Sequence, residues 1–453
     1  MKVWVPSSEV EVLAEADVVV CGGGCAGVTA AVSAARHGAS VVLLERWPSV
    51  GGMATNALVN GWHRSDREKI VINGLVEEAT SRAEKEGWMA RDVRYPRDNC
   101  THWFQPEGMR IVFQRLLDEA GVRTLCHLVA GEPVVEGNRI TAVLVDTKRG
   151  RRAVTGRIFI DATGDGDVAA KAGVPFSFGR NEDGLVQGMT LMFSLWGIDP
   201  EARRAGGGDA AVEKLLAHMR ELRDAGKFPP FNEANGGHHL RHACDHDLWN
   251  MLPVNGNPLD EGELTRLTVL ARERLVQYLK LWRAEMPGFG KAVINQTAYA
   301  MGIRETRRIH GRVTLDREMV VGARKQPDAI GHGNWCIDCH DPKGTGSTTY
   351  VDVEDPAGAK DRLAPGTSYH IPLGMCLNDR IANLGVVGRC ASATHLGLAS
   401  VRVQTHCMVM GQGVGTAAAL ALGAGRELGK VEIGMLQSTL RADGVYLEDV
   451  PAP

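Results

Sequence analysis

The run Asp17-Val18-Val19-Val20-Cys21-Gly22-Gly23-Gly24-Cys25-Ala26-Gly27 constrains this chain more than any other stretch. An apolar strand passes directly into glycines spaced Gly22-x-Gly24-x-x-Gly27. Gly22 permits a tight turn, Gly24 lets backbone approach a pyrophosphate, and Gly27 lets the following helix pack closely on its strand. That helix then points its free N–H groups at the phosphates. In a chain with 54 glycines the spacing alone says little, so the flanks decide. Val28 to Ala35 is small and helical, Gly38 ends it, and Ser40-Val41-Val42-Leu43-Leu44-Glu45 is a second strand. Glu45 falls 18 residues beyond Gly27, where an acidic side chain meets a ribose in a βαβ unit of ~30 residues. The stretch therefore reads as a dinucleotide site rather than an unliganded glycine turn. Taken alone it admits NAD and FAD equally.

At 453 residues the chain has room for two or three domains with ample core. A net charge of -3, from 51 basic and 54 acidic residues, argues for neither nucleic acid nor an anionic membrane as partner. Met1 to Glu9 lacks the apolar core of a secretory signal, so a cytoplasmic protein with reduced thiols is expected. No apolar run reaches the ~20 residues of a membrane span. The ten cysteines read first as small buried apolar residues.

Downstream, Arg46 to Asn56 is a glycine-bearing loop delivered back over the nucleotide turn. Helices are predicted over Ser65 to Glu86 and Glu107 to Ala120, with Asn99 to Phe104 as a loop between them. Period-two patterning then marks a strand at Thr124 to Val129, a β-meander, and a return strand at Arg152 to Ile160. The acid- and glycine-rich loop Asp161 to Asp167 follows. From about Gly173 to Tyr369 the α/β alternation stops; there the helix Glu261 to Met286 is the clearest element, capped by Asp260 with Glu263 at the capping-box position. The expected fold is α/β: a discontinuous Rossmann-like domain with a β-meander insertion, residues 1–172 and 371–453, around an α+β substrate (cap) domain, residues 173–370. In the last segment Ile381 to Arg389 reads as a strand and Gln412 to Leu420 as a helix start.

These segments carry a resemblance. The glycine turn, Gly51-Gly52-Met53-Ala54-Thr55, Asp161-Ala162-Thr163-Gly164-Asp165-Gly166-Asp167, Gly302 to Arg308, Ile337 to Pro342 and Gly388 to His395 together resemble the FAD-dependent oxidoreductases related to fumarate reductase and glutathione reductase flavoproteins. The resemblance spans nearly the whole chain and implies FAD as cofactor. It implies that Gly22, Gly24, Cys25, Ala26, Gly27, Glu45 and Arg46 hold the ADP half and that Val129 touches adenine. It further implies that Gly51, Gly52, Met53, Ala54, Thr55, Ala162, Thr163, Gly164, Gly388 and Arg389 line the rest of the cofactor. Gln412, Gly413, Val414 and Gly415 are expected at a helix N-terminus facing the flavin. Two departures stand out: Cys25 where proline is commoner, and Arg389 where an acidic ribitol contact is common.

Several constellations compete for the chemistry. Cys336-Ile337-Asp338-Cys339-His340 spells a c-type haem attachment, but that needs export. A zinc or redox dithiol reading lacks a matching second pair. The loop Gly51 to Gly61 has no cysteine, against disulfide-reductase chemistry, and no second glycine fingerprint follows a strand, so electrons come from the substrate or a separate partner. His238, His239, His242 and His246 have spacings a metal could use, but no metal is expected. Arg304 is the best candidate for an anionic-substrate clamp, with Arg307 and Arg308 equally readable as ion-pair partners. His395 is the first choice of catalytic base and His340 the second, ahead of His63. The expected activity is hydride transfer between a small polar organic substrate (alcohol, amine or carboxylate-bearing) and flavin N5, with oxygen, quinone or a protein as separate electron acceptor. The alternatives are a monooxygenase using external NAD(P)H and oxygen, or a non-catalytic flavin-binding subunit.

Overall fold

The structure is a computed structural model and describes Val3 and residues 9–66, 68–92, 101–231, 247–343 and 362–450. Strand β1 (Val12–Cys21), helix α1 (Cys25–Arg36) and strand β2 (Val41–Glu45) form the expected βαβ unit, with β1 and β2 parallel. Among the described residues they belong to a seven-stranded sheet. The strand Arg123–Cys126 extends it beyond β2, and the long strand Gly150–Asp161 lies parallel on the other side of β1. The first half of that long strand closes the antiparallel meander Val129–Glu136 and Arg139–Thr147, while its last residues pair with Leu384–Val386 from far along the chain. The α/β sheet with its meander is thus as expected, and its last strand is contributed by the C-terminal segment.

The sheet positions the nucleotide turn because β1 is buried on both faces, with Val18 to Cys21 shielded completely. One of its faces is covered by α1, which packs in turn on the late helix Gln404–Gly423. A Cβ on Gly411 would stand 2.1 Å from Ala26 O, and one on Gly415 would stand 2.2 Å from Ala30 O. These glycines therefore let the two helix backbones touch. Thr29 Oγ1 donates to Met408 O at 2.9 Å, and Ser33 and Thr416 share a 2.6 Å hydroxyl bond across the same crossing.

A second core collects mainly residues 189–303. The strands Asp247–Val254, Met189–Trp196 and Val293–Thr297 make an antiparallel sheet. Helix Glu261–Glu285 packs with it through Leu267, Ala271, Leu275, Tyr278 and Trp282. Trp249 and Trp282 meet with ring centroids 4.7 Å apart. Asp260 caps that helix as predicted by accepting from Glu263 N at 2.7 Å, whereas Glu263 reaches back past the cap to Asn257 N at 3.0 Å. Leu315, Met319, Ile330, Tyr369 and Met375 are buried in the first core instead. In packing, then, the stretch expected as one cap unit over 173–370 is shared among three cores, since Val174 and Ile309 join a third with Val19, Phe159 and Leu384.

Two local expectations change. The helix predicted from Ser65 begins only at Leu75, because Gly74 adopts a φ of 64° and the preceding residues form the Ser65–Ile70 bridge. Thr101–Phe104, predicted as loop, is a strand paired with Gly61–His63; Asn99 and Cys100 lie outside the described residues.

Gly415→Ala should therefore destabilise the protein by roughly 1–3 kcal/mol through overpacking against fixed backbone. Gly423→Ala, at the open end of the same helix where a Cβ meets nothing within 4 Å, should be neutral or stabilising by up to ~1 kcal/mol. Thermal unfolding midpoints of the two variants check the pair.

Candidate functional site

Three loops close around the glycine turn. A Cβ on Gly22 would meet Ala162 O at 2.4 Å, so the loop from Ala162 to Gly164 lies directly against it. Gly51 N donates to Gly23 O at 2.7 Å, and a Cβ on Gly52 would fall 2.8 Å from Gly24 Cα. The Gly51–Thr55 loop is thereby laid beside the turn, and Thr55 Oγ1 ties it down on Val50 O at 2.7 Å. Gly24 itself leaves a cradle: the nearest atom to a Cβ there is 3.9 Å away.

Two helix N-termini in this region are buried and carry no side-chain cap. Helix α1 starts at Gly24 with no acid in its first turn, and Cys25, Ala26 and Gly27 are buried. The late helix starts at Val403, with Gln404, Thr405 and His406 buried. Five other helices are capped by their own sequence, through Asp199, Asp260, Asp316, Thr394 and Glu432, whereas those starting at Pro106, Asp167 and Asp209 also lack such a cap, each with an acid or proline in its first turn. Buried free N–H groups are costly unless a ligand accepts from them, and such helix ends favour anions. A group with phosphates at one end and an anion-forming ring at the other fits both.

The helix N-terminus expected at Gln412 to Gly415 is corrected by this. Those residues lie mid-helix, eight or more residues past its start at Gln404. Gln412 Oε1 instead accepts from Leu75 N at 2.9 Å, capping the helix Leu75–Lys85. A Cβ on Gly413 would meet Ile330 at 2.6 Å, Val414 is fully buried, and Gly415 lies on α1. The glycines that suggested a helix start serve the helix crossing. Val403 offers none of the Ser, Thr, Asp or Asn signals by which a start is recognised. A surface cleft of about 530 Å³ does border Gln412, with Arg36, Gly74 and Asp443, but it runs along the helix flank rather than at either N-terminus.

The remaining predicted residues fall around the turn. Glu45 is buried, which raises its carboxyl, while the N–H groups of Trp47 and Gly23 donate to it at 2.8 and 2.7 Å and work the other way. Leu128 N donates to Glu45 O at 3.0 Å, bringing Val129, 57% exposed, to the end of β2. Asp161 is pushed up to about 6 by burial, against the donors Ala169 N and Thr163 that it orients. Arg389 donates to Asp165 Oδ1 at 2.7 Å and to Thr306 Oγ1 at 3.0 Å, and Arg46 stands 3.9 Å from Asp165 Oδ2. Burial works to raise the Asp165 carboxyl, but Arg389 and Arg46 hold it below the ordinary carboxylate range. Where the resemblance leads one to expect an acid beside Gly388, this chain has Arg389 and brings the acid from Asp165.

Arg304, His340 and His395 belong to a polar cluster formed by three segments. Arg304 donates to Gly188 O at 2.7 Å and Thr190 Oγ1 at 2.9 Å. Its guanidinium is lowered to about 9 by burial and by Arg402, against Asp338. Arg402 donates to Asp338 O at 2.7 Å. Asp338 stays ionised despite burial because His340, Arg402 and Arg304 surround it. His340 Nε2 stands 3.4 Å from Asp338 Oδ1, and burial with Arg304 nearby lowers its pKa to about 4. His395 opens a short helix, His395–Val401; its Nδ1 is 2.7 Å from Glu305 Oε2, and its Nε2 is 3.3 Å from Cys339 Sγ. Burial pushes the Cys339 thiol up to about 12. Arg308 pairs with Glu305 and Arg307 with Asp167, so both act as ion-pair partners. His63 stacks on Trp335 with centroids 3.7 Å apart. The histidines from 238 to 246 lie outside the described residues. Sequence reasoning missed Arg402, Glu305, Asp165 and Gln404, whose Oε1 accepts from Trp62 Nε1 at 2.8 Å and whose amide donates to Val59 O at 2.6 Å. Glu305 stood in a quoted motif and could have been found there; Gln404 carried no signal.

The sheet, glycine turn and paired helix N-termini define a dinucleotide-binding flavoprotein of the α/β class. The model of the FAD dependent oxidoreductase family matches residues 17–440, and this chain belongs to that family. It is an oxidoreductase with FAD as its cofactor. Among solved structures, it is similar to a geranylgeranyl bacteriochlorophyll reductase-like protein from Thermoplasma acidophilum (14% identity, TM-score 0.46, covering 95% of this chain and 83% of that one). It is also similar to the anhydrotetracycline hydroxylase OxyS from Streptomyces rimosus (12%, 0.47, covering 94% and 65%). The myxobacterial chondrochloren halogenase CndH, an FAD-dependent halogenase, is a third (13%, 0.45, covering 94% and 78%). Likenesses this distant say nothing about substrate. Among the described residues, no helix is long and apolar enough to cross a membrane.

The neutral buried histidines make stability fall on acidification. His340 and His406, the latter lowered to about 3 by burial, both titrate below the ordinary histidine value of about 6.5. The unfolded chain therefore takes up protons first as pH falls. Their contribution is full above pH 6.5 and is lost progressively as pH drops toward the folded values, at about 1.4 kcal/mol per pH unit per histidine. Urea unfolding at pH 7 and pH 5 should show a loss of roughly 2 kcal/mol for each, and His340→Gln should remove one such share of the pH dependence.

Proposed function

We propose that this oxidoreductase removes a hydride from, or returns it to, a small carboxylate-bearing organic substrate held by Arg304 and Arg402 between the first and second cores. The carrying observation is the charge imbalance of the cluster. Two guanidinium groups, Arg304 and Arg402, share the single carboxylate Asp338, while Arg308 and Arg307 have their own acids. Among the described residues, Arg304 meets protein acceptors through NH1, which leaves Nε and NH2 for a substrate carboxylate. A buried cation with an open donor edge gains most from an anionic ligand.

Gly22, Gly24 and the N–H groups of Cys25 to Gly27 would hold the pyrophosphate of FAD. Glu45, Arg46 and Val129 would border its adenosine. Gly51 to Thr55, Ala162 to Gly164, Gly388 and Arg389 would line the remainder, and the first turn of the late helix at Gln404 to His406 replaces Gln412 to Gly415 at the ring. FAD supplies the two-electron acceptor or donor at N5. The protein's own task is orientation and proton transfer. Glu305 Oε2 stands 2.7 Å from Nδ1 of His395 on one side of the ring, and the Cys339 thiol stands 3.3 Å from its Nε2 on the other. His395 takes the substrate proton, and His340, held by Asp338, lines the clamp. Oxygen, a quinone or a protein from outside the chain would serve as the separate electron acceptor.

The test is anaerobic bleaching of the FAD band across alcohols, amines and their carboxylate-bearing counterparts. Bleaching confined to carboxylates supports the reading; bleaching by uncharged substrates alone, or substrate oxygenation at the expense of NAD(P)H, would overturn it. Arg304→Gln should raise KM for the reactive carboxylate ~10–100-fold, the worth of charged hydrogen bonds of ~1.5–3 kcal/mol, with FAD retained. His395→Gln should instead lower kcat by ~10²–10⁴ with little change in KM.

A further inference from the structure

A second polar cluster is built away from the arginine clamp. The strands Ala329–Gly333 and Tyr369–Pro372 pair antiparallel and place His332 directly opposite His370. Their rings meet at 4.6 Å, and both Nε2 atoms converge on Asp449 Oδ1, at 3.0 Å from His332 and 3.3 Å from His370. These spacings are close to the roughly 3.3 Å ligand-to-ligand edge of a tetrahedral ion with ~2.0 Å bonds. His332 has no exposed side-chain surface, and among the described residues its Nε2 has no hydrogen-bond partner despite that proximity. A buried imidazole nitrogen aimed at an acid without bonding to it is an expense that a shared ion would remove.

The surroundings orient the donors. Ser368 Oγ lies 2.9 Å from His332 Nδ1, so a proton there leaves the Nε2 lone pair of His332 facing Asp449. His370 Nδ1 accepts from Gln326 N at 3.0 Å and lies 3.2 Å from Gln326 O, so without an ion its Nε2–H faces Asp449, and ligation requires that proton to move to Nδ1, where Gln326 O accepts it. Lys325 Nζ takes the other carboxylate oxygen at 2.5 Å and Ser368 O at 3.0 Å, so Oδ1 remains for the imidazoles. Asp449 is 41% exposed and gives an ion a route in from solvent.

We propose that His332, His370 and Asp449 bind a divalent transition-metal ion of the zinc type, with water completing four ligands. The ion would staple the C-terminal segment to the strand pair. That strand leads within two residues to Asn334, whose N–H and side chain bond His406 in the first turn of the late helix, at 3.1 and 2.8 Å.

The experiment dialyses the FAD-loaded full chain against Zn²⁺, removes free metal, and measures retained zinc and thermal midpoint with and without EDTA. About one zinc per chain is expected, with a midpoint that EDTA lowers. Asp449→Asn, at a part-exposed position, should weaken retention at least ~10-fold while keeping the FAD band, and Ser368→Ala should weaken it ~10-fold or more. No retained zinc in the wild type would overturn the proposal. So would zinc retained undiminished by Asp449→Asn in protein with a native FAD band, since the ion would then sit elsewhere, the histidines at 238–246 included. The wild-type titration stands even if a variant fails to fold.

Discussion

The contact on which the rest of this structure depends is the crossing of α1 and the late helix. Gly411 and Gly415 sit one turn apart and remove the Cβ atoms that would otherwise strike Ala26 O and Ala30 O. The Thr29–Met408 and Ser33–Thr416 hydrogen bonds then satisfy hydroxyls that no water reaches. Residues separated by nearly four hundred positions thereby share one rigid frame. Its consequence is that the two buried N-termini of these helices, neither with a side-chain cap, are held at a fixed relation, each presenting an electropositive end. A side chain at either glycine would separate the helices and displace one terminus from the other.

The same economy of space governs the loops around the turn. Gly22 against Ala162, and Gly52 against Gly24, are backbone-to-backbone approaches that any Cβ would block. The glycines of the fingerprint therefore act less through flexibility than through absence of volume. Acidic residues placed behind them carry the electrostatic load: Asp161 holds the Thr163 turn from beneath, while Asp165 neutralises Arg389 and draws Arg46 toward the site. An arginine beside Gly388 is tolerable because its counter-charge arrives from a segment more than two hundred residues earlier.

How much of this was legible in the sequence follows from the range of the forces involved. The βαβ unit, the meander and the capped helix Glu261–Glu285 were readable because apolar period, turn residues and caps are written locally. The cofactor turn was readable for the same reason. The late helix was misplaced because its N-cap, Val403, provides no side-chain cap, so nothing local marks its start. Arg402 escaped because its role arises only when the segments carrying Asp338 and the late helices meet, whereas Glu305 lay within a quoted motif and was passed over. Arg304, His340 and His395 were singled out in the sequence, as were Asp338 and Cys339 in their shared motif, but the pairing of His340 with Asp338 and of His395 with Glu305 and Cys339 is a matter of three dimensions.

The cluster also shows why such charges persist in an interior. Burying an ion without compensation costs several kcal/mol, and a buried pair rarely repays more than that cost. Stability alone would favour apolar replacements for Arg304, Arg402, Asp338 and His340. Their arrangement instead leaves one guanidinium edge unspent and one histidine neutral, and both are unfavourable features in a purely structural network. The protein bears that cost in a cluster tied by Arg304 to Thr190 of the second core's sheet, whose aromatic residues Trp249, Trp282, Phe193 and Phe289 are buried together. The stable parts are thus separated from the strained ones: apolar burial and helix crossing hold the fold, while the destabilising polar groups are gathered where a ligand can complete them.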